Sequence, residues 1–158
     1  MRLAIMLTKV LIAGALVVIT VVIHAIGFDA LLRVMMRLQA FAMTGFRRVT
    51  LLVIALACWL VLIHMAEIAV WGLFYFWQGC LPDPGSAFFY SAGAYTTVGS
   101  GLALPEQWRM FAPLEALMGA LMFGLSTGLF FAVVSSWIHN WMQRQTKLAP
   151  HFPDFVNK

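Results

Sequence analysis

The residues best placed to do chemistry in this chain are Thr96-Thr97-Val98-Gly99-Ser100-Gly101. Glycines at 99 and 101 can adopt positive φ angles, which lets successive backbone carbonyls aim at a common axis. Val98 is stiff at χ1 and is expected to pack behind the strand. The Thr97 hydroxyl adds one more oxygen, and rings of such oxygens can replace the hydration shell of a monovalent cation. One copy offers its carbonyls from one side only, so this chemistry calls for several copies around an axis.

A second constellation is His64 and Glu67, at i and i+3 on one helix face. Glu67 precedes Trp77 by about ten residues, which is roughly 15 Å of helix into a membrane. A carboxylate at that depth is by default a functional group. It can pair with His64, face Glu115 to set a proton-sensitive gate, or fill a polar pocket as a hydrogen-bonded carboxyl. A metal site at His64 and Glu67 needs further ligands, and none is evident in the sequence.

Gly124-Leu125-Ser126-Thr127-Gly128 matches the nucleophile pattern G-x-S-x-G, with His64 the available base. That elbow requires a sharp strand-to-helix turn, whereas Ser126 lies inside an apolar helical run. Gly119, Gly124 and Gly128 can serve as hinges or as close-packing positions. His24, His139 and His151 are expected at interfaces or on the surface.

The elements that must position these residues follow from composition. The 158 residues are 63% hydrophobic and 10% charged, too apolar for an ordinary soluble domain. A membrane helix needs about 20 apolar residues. Runs of that length extend from Val10 to Phe28, Val49 to Trp77 and Ala116 to Ile138. Asp29 to Arg48 reads as a linker with a short amphipathic helix at the interface, Arg33 and Arg37 being one turn apart. Between the second and third spans, Pro82-Asp83-Pro84-Gly85-Ser86 predicts a turn in which Asp83 or Ser86 caps a helix. The stretch Ala87 to Tyr95 is too short to span and has the length of a re-entrant half-helix. Its carboxyl end would point a negative dipole at Thr97–Gly101.

The net charge of +4 orients the chain in a bilayer and does not form a nucleic-acid surface. Arg33, Arg37, Arg47, Arg48, Arg144, Lys147 and Lys158 lie in the linker and tail, against Arg2, Lys9 and Arg109 elsewhere. The positive-inside rule then places linker and tail in the cytoplasm and the amino terminus outside. A multi-pass protein of the cell membrane is expected. Cys58 and Cys80 would be roughly 33 Å apart along a helix, too far for a disulfide.

The order span, half-helix, Thr-Thr-Val-Gly-x-Gly, span resembles the pore module of the potassium-channel superfamily from about Val49 to Ile138. Phe89, Tyr90 and Ser91 line up with it, as do Thr96 to Gly101. Trp108-Arg109, Pro113-Leu114-Glu115 and Gly124-Leu125-Ser126-Thr127 resemble small bacterial ion channels of that superfamily. The resemblance implies an all-α membrane protein with three transmembrane helices and a re-entrant half-helix, assembled as a homotetramer. It implies K+ or another monovalent cation bound at Thr97, Val98, Gly99, Ser100 and Gly101, with no organic cofactor and no enzyme activity. A bend at Gly119 or Gly124 would open an inner gate.

Three departures bear on selectivity: Ser100 stands where a tyrosine is usual, and Gly93 and Leu102 stand where carboxylates are common. Strict preference for potassium is thereby put in doubt. The chain divides into residues 1–48 (first span and linker), 49–141 (pore module) and 142–158 (tail). No span carries arginine at every third position, so no voltage sensor is expected, nor is a soluble ligand domain, and gating is expected to come from the bilayer, pH, a regulatory partner or the filter itself. The competing readings are a non-conducting membrane scaffold of the same fold and a membrane hydrolase using Ser126.

Overall fold

A computed structural model describes residues 2–39 and 46–148 of the chain. The helices α1 (Arg2–Gln39), α2 (Phe46–Trp77) and α4 (Phe111–Leu148) are long, α3 (Pro84–Tyr95) is short, and one turn of 3-10 helix, Glu106–Trp108, precedes α4. Three stretches are long and apolar enough to cross a membrane: Met6–Arg37, Thr50–Trp77 and Glu106–Asn140, the last taking in the 3-10 turn and most of α4. No strand is present among the described residues.

The short helix begins where the turn chemistry places it. Asp83 is extended (φ −147°, ψ 160°), and its carboxylate accepts from the Ser86 amide at 2.9 Å and the Ser86 hydroxyl at 2.6 Å. Pro84 follows in the first turn, where its missing N–H costs nothing. Thr96 closes the helix, donating from both its amide (3.1 Å) and its hydroxyl (2.7 Å) to the Ala92 carbonyl.

Two expected boundaries shift. The linker does not form a separate interfacial helix up to Gln39: α1 runs on without a break, and Leu31 and Met35 pack against Leu56, Leu60 and Ile63 of α2. Arg33 is left outward, in an exposed pair with Asp29 at 2.8 Å. The i,i+4 spacing of that pair supports helix where the charge suggested an end. Likewise α4 continues beyond Ile138 to Leu148.

Packing is layered along the bundle. At one end an aromatic cluster joins Trp71, Phe74 and Tyr75 of α2 to Tyr90 and Tyr95 of α3 and to Trp108 and Phe111. At the other end lies the aliphatic contact of α1 with α2, onto which Leu129, Phe130 and Val133 of α4 also pack. Gly27 faces Ile63 there, and a Cβ at 27 would lie 2.5 Å from Ile63 Cδ1, so the Ile63 side chain would have to move. The Lys9 ammonium donates to the Gln107 carbonyl at 2.8 Å and sits over the Trp108 ring. The start of α1 therefore lies on the same side of the bundle as the segment following α3. Cys58 is exposed, Cys80 is buried, and both are free thiols.

Candidate functional site

The segment after α3 alternates in backbone handedness. Thr97, Gly99 and Gly101 have φ of 63°, 84° and 71°. Left-handed residues at every second position are a backbone pattern that can turn alternate peptide planes over. Gly99 and Gly101 were legible as glycines. Thr97 was not, since a residue with a Cβ gives up about 1–2 kcal/mol to enter that region. Its amide donates to the Ala94 carbonyl at 3.0 Å, which helps hold it there.

The segment is fastened to α3 by backbone. The Gly99 amide donates to the Gly93 carbonyl at 2.9 Å. A Cβ on Gly93 would stand 2.8 Å from the Gly99 carbonyl carbon and 2.9 Å from the Ser100 nitrogen. Glycine at 93 therefore does more than omit a carboxylate: it lets the segment lie directly on the half-helix. Ser100 makes a local bond only, its hydroxyl accepting from the Leu102 amide at 3.3 Å. An open recess remains beside the segment, lined in part by Tyr90, Gly93, Ser100, Ala112 and Pro113. Val98 does not pack behind the strand within its own chain, because it is 84% exposed.

Glu115 does not face Glu67. It is fully buried and accepts from the Ser91 hydroxyl at 2.5 Å and the Tyr75 hydroxyl at 2.8 Å. Ser91 also lies 2.8 Å from the Ile68 carbonyl. One carboxyl group on α4 thus fixes α2 and α3 together. Gly119, one turn further along α4, has no room for a side chain, since a Cβ would collide with the Tyr95 carbonyl. Gly124 and Gly128 have nothing within 4 Å of a built Cβ. Of these glycines only Gly119 makes a close approach inside the chain.

Between the two apolar clusters lies a polar layer that sequence reasoning only half recovered. His64 and Glu67 are both buried, with His64 Nδ1 3.4 Å from Glu67 Oε2. His24 of α1 is not at a surface: it is 3% exposed, and its Nδ1 lies 2.7 Å from Glu67 Oε1. The Tyr95 hydroxyl donates to Glu67 Oε2 and stands 3.0 Å from His64 Nδ1. Ser126 Oγ of α4 lies 3.1 Å from His64 Nε2 and 3.5 Å from His24 Nε2. All four helices contribute to this layer, directly behind the last residue of α3. His24 is 43 positions from Glu67, so no local spacing could announce it. Among the other histidines His139 is exposed as expected, and His151 lies outside the described residues.

The Ser126–His64–Glu67 connectivity matches that of a catalytic triad. Ser126 is 5% exposed in the middle of α4. The amides around it belong to helix hydrogen bonds, so they offer no oxyanion donors.

No curated protein and no solved structure matches the chain significantly. Residues 63–136 match the family model described as an ion channel. That stretch runs from the polar layer on α2 through α3 and the 97–101 segment into α4, and the match is consistent with a potassium-channel-like pore module.

Proposed function

We propose that four copies of this chain surround an axis and conduct monovalent cations passively, the 97–101 segments forming the filter. Potassium is the first candidate ion, with weak discrimination against sodium. The observation that carries this reading is the alternation of left-handed φ at Thr97, Gly99 and Gly101 at the carboxyl end of a half-helix. Its carbonyls are suited to a cation, and the helix end adds negative potential. Backbone of this kind at membrane depth must face protein or a wet cavity and not lipid.

The selectivity reading rests on how the strand is held. The bond from Gly99 to Gly93 secures the middle of the filter. Ser100 reaches only Leu102, and the recess beside it is open. The outer end is thus the less supported half, which weakens discrimination to the extent that cavity size provides it.

The test is flux from liposomes containing the purified protein, with potassium, sodium and caesium compared. Cation flux with a modest potassium preference is expected. Strong exclusion of sodium would overturn the weak-selectivity reading. Absence of flux for every cation would favour the scaffold. A monomer or dimer as the stable species in native mass spectrometry would remove the tetrameric pore.

A further inference from the structure

We propose that His24, His64, Glu67 and Tyr95 form an intramembrane binding site for a divalent transition-metal ion, zinc first, behind the half-helix. The donor atoms converge from three helices. His24 Nδ1 lies 2.7 Å from Glu67 Oε1, and His64 Nδ1 lies 3.4 Å from Glu67 Oε2 and 3.0 Å from the Tyr95 hydroxyl. Ligand atoms of His24, His64 and Glu67 all fall within 4.8 Å of one another. Zinc bonds of about 2.0–2.2 Å in a tetrahedron set donors about 3.3–3.6 Å apart. Small side-chain shifts reach that spacing. Two imidazoles, a carboxylate and a phenol make an N/O set that suits zinc.

The outer shell supplies an independent argument. Both imidazoles direct Nδ1 inward and Nε2 at one hydroxyl, Ser126 Oγ, at 3.5 Å and 3.1 Å. In the metal-free tautomers that carry the proton on Nδ1, facing Glu67 or Tyr95, each Nε2 is left as an acceptor. The single Ser126 proton can serve only one of them. With both Nδ1 atoms bound to a cation, each Nε2 carries its proton, and the two lone pairs of Ser126 accept both. This is the arrangement by which outer residues orient metal-binding histidines. Glu67, at 0% exposure, supplies one negative charge to the cation, and release of the Tyr95 phenolic proton on binding supplies the second, which makes the site neutral.

The experiment is metal analysis of the purified full-length protein in detergent, dialysed after zinc loading. One zinc per chain is expected in the wild type and in His139→Ala, which removes an exposed imidazole. His24→Ala and His64→Ala should each reduce bound zinc to background. Ser126→Ala should keep the site with affinity lowered about 10–100-fold. Cobalt should give the visible bands of a tetrahedral centre in the wild type, shifted in Tyr95→Phe. Wild-type zinc no higher than in His24→Ala, or a wild-type cobalt spectrum without tetrahedral bands, overturns the site. The cobalt measurement needs no variant, so a misfolded mutant cannot hide the answer. Neither readout depends on ion flux.

Discussion

Gly119 and Gly124 are a single helical turn and a half apart, yet they differ in what an added methyl group would meet. At 119 a Cβ would collide with the Tyr95 carbonyl, whereas at 124 it meets nothing within 4 Å. Gly119→Ala must therefore push α4 off the end of α3, at a cost of about 1–3 kcal/mol for overpacking. Gly124→Ala should stay within about 0.5 kcal/mol. Thermal unfolding in detergent measures both, and equal shifts would contradict the assignment. Asp83, outside the spans, gives a pH-dependent counterpart. Its bonds from Ser86 hold the carboxyl below the usual range. A lowered folded pKa stabilises above the unfolded value of about 3.9 and is lost as pH falls through the folded value. Acid should therefore loosen the start of α3 in the wild type, and Asp83→Ala should abolish that component of the unfolding curve. At this scale the sequence was readable where a residue type permits one thing. Gly99, Gly101 and the Asp83 cap were legible for that reason. Thr97 and Gly93 were not, because their conformation and contacts depend on what folds back on them.

The half-helix is an element that its own sequence cannot hold in place, being twelve residues long, about the lower limit at which an isolated helix is even marginal. Its position is set by polar bonds to the long helices, Ser91 to Glu115 and to the Ile68 carbonyl, and Tyr95 to Glu67. Ser91→Ala and Tyr75→Phe each remove one donor to a buried carboxyl group and should each destabilise by about 1.5–3 kcal/mol. Because both act on Glu115, their effects should not add, and a double-mutant cycle should return a coupling of about 0.5–3 kcal/mol. Additive losses would mean that Glu115 is not the shared anchor. Helix lengths were harder to read than helix identities. Apolar runs marked the cores of α1 and α4, but both helices continue through polar residues. The pair Arg33–Asp29 and the bond from the Gln143 side chain to His139 support those continuations from within the helix. The polar layer was legible on α2, where i and i+3 fall on one face, and at Ser126, which the G-x-S-x-G pattern paired with His64 and which lies 3.1 Å from it. Its partners His24 on α1 and Tyr95 on α3 are brought in by packing.

For the molecule as a whole, the most informative residue is the one its own chain leaves unused. Val98 is 84% exposed although it sits between two residues whose backbones are fixed by the alternation of φ. An apolar side chain facing lipid would be unremarkable on a span. Here the adjoining carbonyls of the same segment cannot face lipid, since hydrocarbon satisfies no acceptor. If four segments converge on an axis, Val98 must turn away from that axis, into protein contributed by a neighbouring copy. Val98→Asn then buries an amide at a contact between copies while leaving every contact within the chain intact. Helical content by circular dichroism should be unchanged. The tetramer in native mass spectrometry should weaken, and potassium flux per protein should fall at least tenfold, a loss of about 1.4 kcal/mol or more in assembly or conduction. A variant that keeps both the tetramer and the wild-type potassium-to-sodium ratio would show that Val98 meets no neighbour. The four-fold arrangement proposed for the 97–101 segment would then need a different contact to hold it.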